Sequence, residues 1–553
     1  MLKRSWSAQP LSYGEFYAFN YNGRRGKMIF GARAGEVQTG SRIKKVESNY
    51  AWGELIDQLH GDERYVLLSS TPYSTDGGRL PEMIKLDVNT GVQKGFGYKA
   101  PIPSASFILK QDKSPLLAAG TDKQGDTINY FYNREKHDWE ALDLVTEFQP
   151  IVASKDDRLV WGLARLDSDK LGVYTLEVAT GELKSVFVDK QYDVEDVMLS
   201  TDKSQVIAAR LATPFPEYVI LDKTHPDADI LRSMAATFPG QQVEVFNKTQ
   251  DGKLALVWVG SDVTDGSLYL FDIKETKLKY LYTFRDGLSN LKLTYTDPIK
   301  FKTSDGIDIE GYFTEAKKMK DKKSNKLVVL VHGGPHFVRD TWNFDPEVHV
   351  LAQHGYNVLR VNFRGSGGRG EDFVKLGYRK WGTDIQRDIY EGVQWAIKER
   401  GIAKDKVCIM GASFGGYSAV MSPIRYPDAY QCAIANVGVY DLPMMFKEGD
   451  VPSWYAGEAF LNEVLGTDEA ELIANSPARQ VAKLNTPLFL AHGEKDQRAP
   501  IEHYEMLTKA LNKAGKSYES FIVENEWHGF YDSSVRAKYY TNVLNFLDKH
   551  LKN

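Results

Sequence analysis

The 553-residue sequence predicts two fold classes in succession: an all-β propeller over residues 1–292 and a doubly wound, mostly parallel α/β sheet over residues 293–553. Three observations carry this expectation. Short strand-like runs restart every 44 to 50 residues in the first half, and helical periodicity is almost absent there. Beyond about residue 300, apolar strands alternate with helical stretches.

The restart has a recognisable form. Asp62, Asp112, Asp156, Asp202 and Asp251 each stand in a polar turn just ahead of an apolar run. Those runs are Tyr65-Val66-Leu67-Leu68, Leu116-Leu117-Ala118, Leu159-Val160-Trp161, Val206-Ile207-Ala208 and Leu254-Ala255-Leu256. An earlier copy is expected to start at Asn22-Gly23, before Met28-Ile29-Phe30. Inside these units Ile84-Lys85-Leu86-Asp87-Val88-Asn89-Thr90-Gly91 matches Tyr174-Thr175-Leu176-Glu177-Val178-Ala179-Thr180-Gly181, with a looser version at 268–273. Each is an alternating strand entering a turn, the pattern of a hairpin. Several strands per unit, repeated at this period, mark a β-propeller. Six units are countable, so six or seven blades are expected.

From residue 300 the pattern changes. Ser304-Asp305-Gly306 is flanked by 300–302 and 307–309, a hairpin, and the lysine-rich run 317–323 reads as a solvated loop. Apolar strands are expected at 327–331, 357–361, 406–410, 432–435, 487–491 and 520–523, with amphipathic helices at 384–400 and 501–514. Such alternation implies a parallel sheet covered on both faces, with the ligand site beyond the C-terminal ends of its strands.

Composition sets outer bounds. At 42% hydrophobic and 26% charged the chain is ordinary globular protein, and it is too long for a single core. A net charge of -5 gives no reason to expect nucleic acid or an anionic membrane as partner. Cys408 and Cys432 lie in apolar segments and read as buried thiols, so neither a disulfide framework nor a thiolate metal site is expected. The opening Met-Leu-Lys-Arg-Ser-Trp lacks a signal peptide's apolar run, and no span of about 18 apolar residues exists. The expected location is the cytoplasm, or the periplasm or exterior if this N-terminus is truncated. Interface patches are not legible in a sequence, and a homo-oligomer is compatible with this one.

The chemistry concentrates in the second half. Gly411-Ala412-Ser413-Phe414-Gly415 follows the apolar run 407–410 and precedes a helix-compatible run, 417–424. This is the G-x-S-x-G elbow of the α/β-hydrolase fold, a strained strand-to-helix turn whose flanking positions must lack bulk. Ser413 is therefore the expected nucleophile. In this fold the acid and base follow in chain order, each after a strand. Of the histidines beyond Ser413, His503 and His550 fall within helix patterns, which leaves His528 as base. Asp496, just after 488–493, is the expected acid, with Asp441 and Asp468 as rivals. His492 is expected to pack beneath this loop. An acyl-transfer site also needs donors for the developing oxyanion. Phe414 follows the nucleophile, and Gly334 lies in His332-Gly333-Gly334-Pro335 after an early strand. Their backbone N–H groups are the candidates. Asn362-Phe363-Arg364-Gly365-Ser366-Gly367-Gly368 lacks the Gly-Lys-Ser/Thr ending of a phosphate loop and reads as a sharp turn.

These motifs, together with Ser476-Pro477, the run His492 to Pro500 and Trp527-His528-Gly529-Phe530, stand in the order found in the prolyl oligopeptidase family of serine peptidases. The sequence resembles that family, most closely its acylaminoacyl-peptidase-like branch, over about its last 260 residues. The resemblance implies hydrolysis of short peptides through an acyl-enzyme, with neither metal nor organic cofactor, behind a propeller that excludes folded proteins. It also suggests that Arg498 holds the substrate backbone, although a salt bridge at the loop edge accounts for it equally well. Tyr440, Trp454 and Tyr455 fall where the family builds its side-chain pocket, and ordinary packing explains them nearly as well. The leading alternative is a carboxylesterase using the same triad; a catalytically idle binding scaffold has no use for a strained serine. An acyl-end, dipeptidyl or internal cleavage preference is not legible, since no acidic pair for a free amine stands out in the propeller.

Overall fold

The computed structural model describes residues 4–7, 14–20, 26–31, 50–59, 61–74, 77–249, 251–288, 290–318 and 323–552. The first half consists of consecutive antiparallel sheets. Strands Arg4–Ser7, Phe16–Asn20 and Lys27–Phe30 form a leading three-stranded sheet. Sheets over 51–99, 106–141, 148–187 and 242–283 have four strands each, and the one over 194–220 has three, followed by helix Pro226–Thr237. Among the described residues the region is propeller-like, with five clear blades where six or seven were expected. The leading sheet has strands of only four and five residues, and the start expected for its unit, Asn22-Gly23, lies outside the described residues.

The recurring aspartates explain where the blades' second strands begin. The Asp62 carboxylate accepts the N–H groups of Arg64 and Tyr65. Asp112, Asp156, Asp202 and Asp251 each accept the N–H two residues on, from Ser114, Arg158, Ser204 and Lys253. A side chain that closes its own turn in this way stops one strand and launches the next. In four of the turns the chain then passes through the left-handed region, at Lys113, Asp157, Lys203 and Gly252.

By internal contacts the chain forms two compact units, 1–166 with 174–185 and 453–460, and 167–173 with 186–452 and 461–553. The sheets over 194–220 and 242–283 thus share a unit with the α/β sheet, so compactness and strand pattern divide the chain differently.

The α/β sheet has eight strands: β1 (Thr296–Lys302), β2 (Asp308–Thr314), β3 (Leu327–Val331), β4 (Asn357–Asn362), β5 (Val407–Ala412), β6 (Cys432–Asn436), β7 (Leu488–Gly493) and β8 (Glu519–Val523). Their order is β1-β2-β4-β3-β5-β6-β7-β8. β1, β2 and β4 pair antiparallel, and every pairing from β4 through β8 is parallel. Of the lysine-rich run 317–323, residues 319–322 lie outside the described residues.

Alternation divides the strands between two cores. Leu327, Val329, Val331, Val407 and Ile409 face α2 (Asp384–Arg400), α3 (Phe414–Arg425) and α4 (Ile501–Lys513). Val328, Leu330, Cys408 and Met410 face α1 (Pro346–Gln353) and α5 (Ser533–His550). Burial on both faces explains why these strands read as unbroken apolar runs. Cys408 and Cys432, read above as two thiols, are direct cross-strand partners with Cα atoms 4.7 Å apart, and they form a disulfide. Two cysteines in register on neighbouring strands come within bonding reach, a pairing that apolar context could not reveal. Among the described residues no helix is long and apolar enough to cross a membrane.

The turn after β4 is held by an ion pair. Arg364 donates from Nε and Nη2 to the two carboxylate oxygens of Asp388 on α2, at 2.8 and 2.7 Å, and reaches Asp305 in the β1–β2 turn at 3.0 Å. Arg364 is 4% exposed and Asp388 is fully buried. Arg364→Met would strand the carboxylate, and loss of one partner of such a pair costs about 3–5 kcal/mol. The urea midpoint of this variant should fall, and adding Asp388→Leu should restore part of the loss. Equal midpoints for wild type and the single variant would show that the pair is dispensable.

Candidate active site

Ser413 occupies the turn between β5 and α3 with φ 59 and ψ -119, a strained conformation for a residue with a side chain. The turn closes only because its flanks lack side chains. A Cβ on Gly411 would stand 2.6 Å from the Gly415 carbonyl carbon, and one on Gly416 would stand 2.7 Å from the Asn436 oxygen. A Cβ on Gly415 would collide with the carbonyl oxygen of Val331, at the end of β3. The Ser413 N–H donates to Asn436 O at 3.0 Å, which pins the turn to β6.

His528 and Asp496 meet across the exits of neighbouring strands. The loop after β7 is bonded to the loop after β8, with Glu494 N–H on Val523 O at 3.0 Å and Lys495 N–H on Glu526 O at 2.9 Å. This clamp brings His528 Nδ1 to 2.7 Å from Asp496 Oδ2. The other carboxylate oxygen accepts the N–H groups of Arg498 and Ala499 at 2.9 and 3.0 Å. The Asp496 side chain is fully buried, and that of His528 is 29% exposed. Because the carboxylate can only accept, Nδ1 carries the imidazole proton and Nε2 is left bare to take another. Ser413, Asp496 and His528 thus all follow the C-terminal ends of parallel strands, β5, β7 and β8.

The rival acids are engaged elsewhere. Asp441 binds Arg479 at 2.6 Å, and Asp468 caps the helix Glu469–Ala474. His492 is buried beneath the acid's loop as expected, with Nε2 2.8 Å from Ala499 O, and burial lowers its pKa. His503 lies inside α4, and its Nδ1 accepts the N–H of Tyr440 at 3.2 Å.

The oxyanion candidates also border the serine. A Cβ on Gly333 would lie 3.5 Å from Ser413 Cβ. Among the described residues neither Gly334 N–H nor Phe414 N–H donates a hydrogen bond. The pocket candidates divide. Tyr440 is 1% exposed and packs in the core around α4. Trp454 and Tyr455 belong to the first unit, where the Tyr455 ring receives Lys123 Nζ at 5.7 Å. Arg498 Nε donates to Asp450 Oδ1 at 2.7 Å, the salt bridge that was one of its two readings.

Sequence reasoning passed over a buried aromatic group between the two loops that border Ser413. Trp381 Nε1 donates to His336 Nε2 at 3.0 Å, and the Trp381 ring packs edge-on to Phe414 with centroids 4.8 Å apart. Burial lowers the His336 pKa to about 3. The histidine that directly follows a Gly-Gly-Pro turn was the available signal; nothing in the sequence connected it to Trp381, 45 positions away.

The prolyl oligopeptidase family model matches residues 342–553. Dipeptidyl aminopeptidase BIII of Pseudoxanthomonas mexicana is 28% identical over 440 residues, covering 78% of this chain and 63% of its own length. Human acylamino-acid-releasing enzyme is 28% identical over 253 residues, 44% of this chain and 34% of its own length. The chain therefore spans less than two thirds of either relative. Among solved structures, the acylaminoacyl peptidase of Pyrococcus horikoshii superposes with a TM-score of 0.72 at 18% identity, over 98% of this chain and 85% of that one. A Mycobacterium tuberculosis puromycin-hydrolyzing peptidase gives 0.74 at 14% identity, over 100% and 86%. Both share this fold.

Burial holds the His503 pKa at about 3, against 6.5 for an unburied ring, so the folded chain keeps it neutral. Unfolding lets the ring protonate below about 6.5, so its contribution to stability is complete above that pH and shrinks as pH falls toward about 3. The thermal midpoint should fall on acidification through this window, and less steeply in His503→Gln. Parallel pH profiles for the two proteins would remove His503 from this account. Residues 342–553 thus match the prolyl oligopeptidase family, and the chain shares its fold with solved peptidases.

Proposed function

We propose that the protein is a serine peptidase that hydrolyses short peptides through an acyl-enzyme, with residues 293–553 as the catalytic domain and 1–292 as its propeller. The observation that carries this reading is the 2.7 Å bond between His528 Nδ1 and buried Asp496, after strands β7 and β8 at the same sheet edge where Ser413 follows β5. That bond leaves His528 Nε2 as a base facing away from the acid.

Ser413 Oγ attacks the scissile carbonyl carbon while its proton passes to His528 Nε2. Asp496 holds the ring in the required tautomer and stabilises the imidazolium. The carbonyl oxygen becomes an alkoxide, which the Phe414 and Gly334 N–H groups receive. Loss of one such donor typically costs about 3–4 kcal/mol of transition-state stabilisation. The imidazolium then protonates the departing amine, the peptide C–N bond breaks, and the acyl group remains on Ser413 Oγ. Water, deprotonated by the same histidine, releases it. Arg498 with Asp450 forms a polar border beside the acid. Relatives named for releasing acylamino acids and for dipeptidyl aminopeptidase activity support short peptides as the substrate class.

The test is mass spectrometry of a mixture of short peptides, free and N-acylated, after incubation with the protein and with Ser413→Ala. Cleavage by the wild type alone is expected, and the fragments released will identify the preferred peptide end. Cleavage retained in Ser413→Ala would sink the assignment of the nucleophile. Hydrolysis of esters with no peptide cleaved would make the protein a carboxylesterase instead.

A further inference from the structure

The sheets over 51–99 and 106–141 meet through an apolar cluster that includes Leu67, Met83, Phe107 and Ala118. The sheets over 194–220 and 242–283 enclose instead a cavity of about 310 Å³, roofed by helix Pro226–Thr237. That volume lies at the small end of the range for ligand sites. The sheet over 194–220 has three strands where its neighbour has four, and its middle strand turns Ala208 and Arg210 toward the gap.

The lining is half apolar and half polar. Met198, Ala208, Ile230 and Val243 supply apolar surface. Asp196, Arg210 and Tyr218 stand in register across three strands, and Glu244 faces them from the next sheet. Their charges do not cancel. Arg210 pairs with Glu195 at 2.8 Å and reaches Asp196 at 3.6 Å, and Glu195 also holds Arg339 at 2.6 Å. With Glu244 added, three carboxylates stand against two guanidinium groups. Among the described residues the Glu244 carboxylate has neither hydrogen bond nor ion pair, and burial raises its pKa.

The lysines of the lining are placed elsewhere. Lys248 pairs with Asp227, which also accepts the Thr201 N–H at 2.8 Å. Exposed Lys203 shares the turn of Thr201. Glu244 and Lys248 lie on one strand, about 13 Å apart at the usual rise. Tyr218 adds an unused oxygen. Its Oη is buried without a hydrogen-bond partner, and the nearby Val243 N–H does not close one. Burial pushes the phenol up to about 12, so it keeps its proton. A buried hydroxyl left unpaired is unfavourable, and a bound group that meets it removes the penalty.

Such a lining is complemented by a cation that carries both N–H donors and an apolar body. A primary ammonium has three donors, one each for Glu244, Asp196 and Tyr218 Oη. A bare metal ion would leave the apolar wall uncovered, and an anion would meet the surplus carboxylate. We propose that this cavity binds a small primary amine, with its ammonium on Glu244 and Tyr218 and its carbon chain along Met198 and Val243. The site shares no residue with the triad and does not rest on the acyl-transfer reading.

The experiment is calorimetric titration of the full chain with n-pentylamine, and with pentan-1-ol, pentanoate and potassium chloride as controls. Pentylamine should bind one to one, with the same affinity in Ser413→Ala. Glu244→Gln should weaken it about tenfold or more, and Tyr218→Phe roughly three- to tenfold. Ala208→Met, which fills the wall, should weaken it to a similar degree as Glu244→Gln. Without amine, Glu244→Gln should be at least as heat-stable as the wild type, because it removes an unpaired, half-buried charge. A fall in its thermal midpoint would make the carboxylate structural and overturn the site. So would equal affinity in wild type and Glu244→Gln, pentanol or pentanoate binding as tightly as the amine, or no binding up to about 10 mM. Displacement of the amine by an equal concentration of potassium would overturn the choice of an organic cation.

Discussion

The candidate site depends on one close approach, that of the Gly415 main chain to the carbonyl oxygen of Val331. The contact forces α3 to begin directly behind the end of β3, and the chain between β5 and α3 must turn within a single residue. Ser413 takes up that turn in a conformation that few residues with side chains adopt. The same crowding brings the loop after β3 alongside, so that Gly333 borders the Ser413 side chain. The candidate nucleophile and the candidate oxyanion loop thus follow from one packing constraint, which three glycines satisfy by lacking a Cβ.

The candidate base and acid rest on a different support. The exits of β7 and β8 are bonded backbone to backbone, and the Asp496–His528 pair sits on that clamp. Behind it, His492 Nε2 meets the Ala499 carbonyl, and the N–H groups of Arg498 and Ala499 occupy the second carboxylate oxygen of Asp496. A buried carboxylate with all its contacts satisfied has little freedom to rotate, which a triad acid requires. Around the serine, Trp381 ties His336 to Phe414, and Arg364 secures the turn that carries Ser366. The site is therefore braced by groups that need never touch a substrate.

Much of this was legible in the sequence because it is local. Strand limits in the α/β half fall within one or two residues of expectation, since a strand buried on both faces reads as an apolar run. The elbow was legible because its steric demand falls on consecutive positions, 411 to 416. The recurring aspartates marked the blade turns because each bonds its own backbone two residues on. Blade number was less accessible: the first unit carries the repeat only faintly.

What the sequence determined by itself was therefore which residues could do chemistry, and in what chain order their strands present them. The tertiary structure alone decided which groups meet. Cys408 joins Cys432 because β5 and β6 are neighbours in register, and Tyr455 joins the first unit while Tyr440 stays in the second. His332 reaches Ser366, 34 positions away, because β3 and β4 lie side by side. Sequence patterns report what each residue needs from its immediate neighbours; a contact between distant segments depends on strand order and register, which the folded sheet sets.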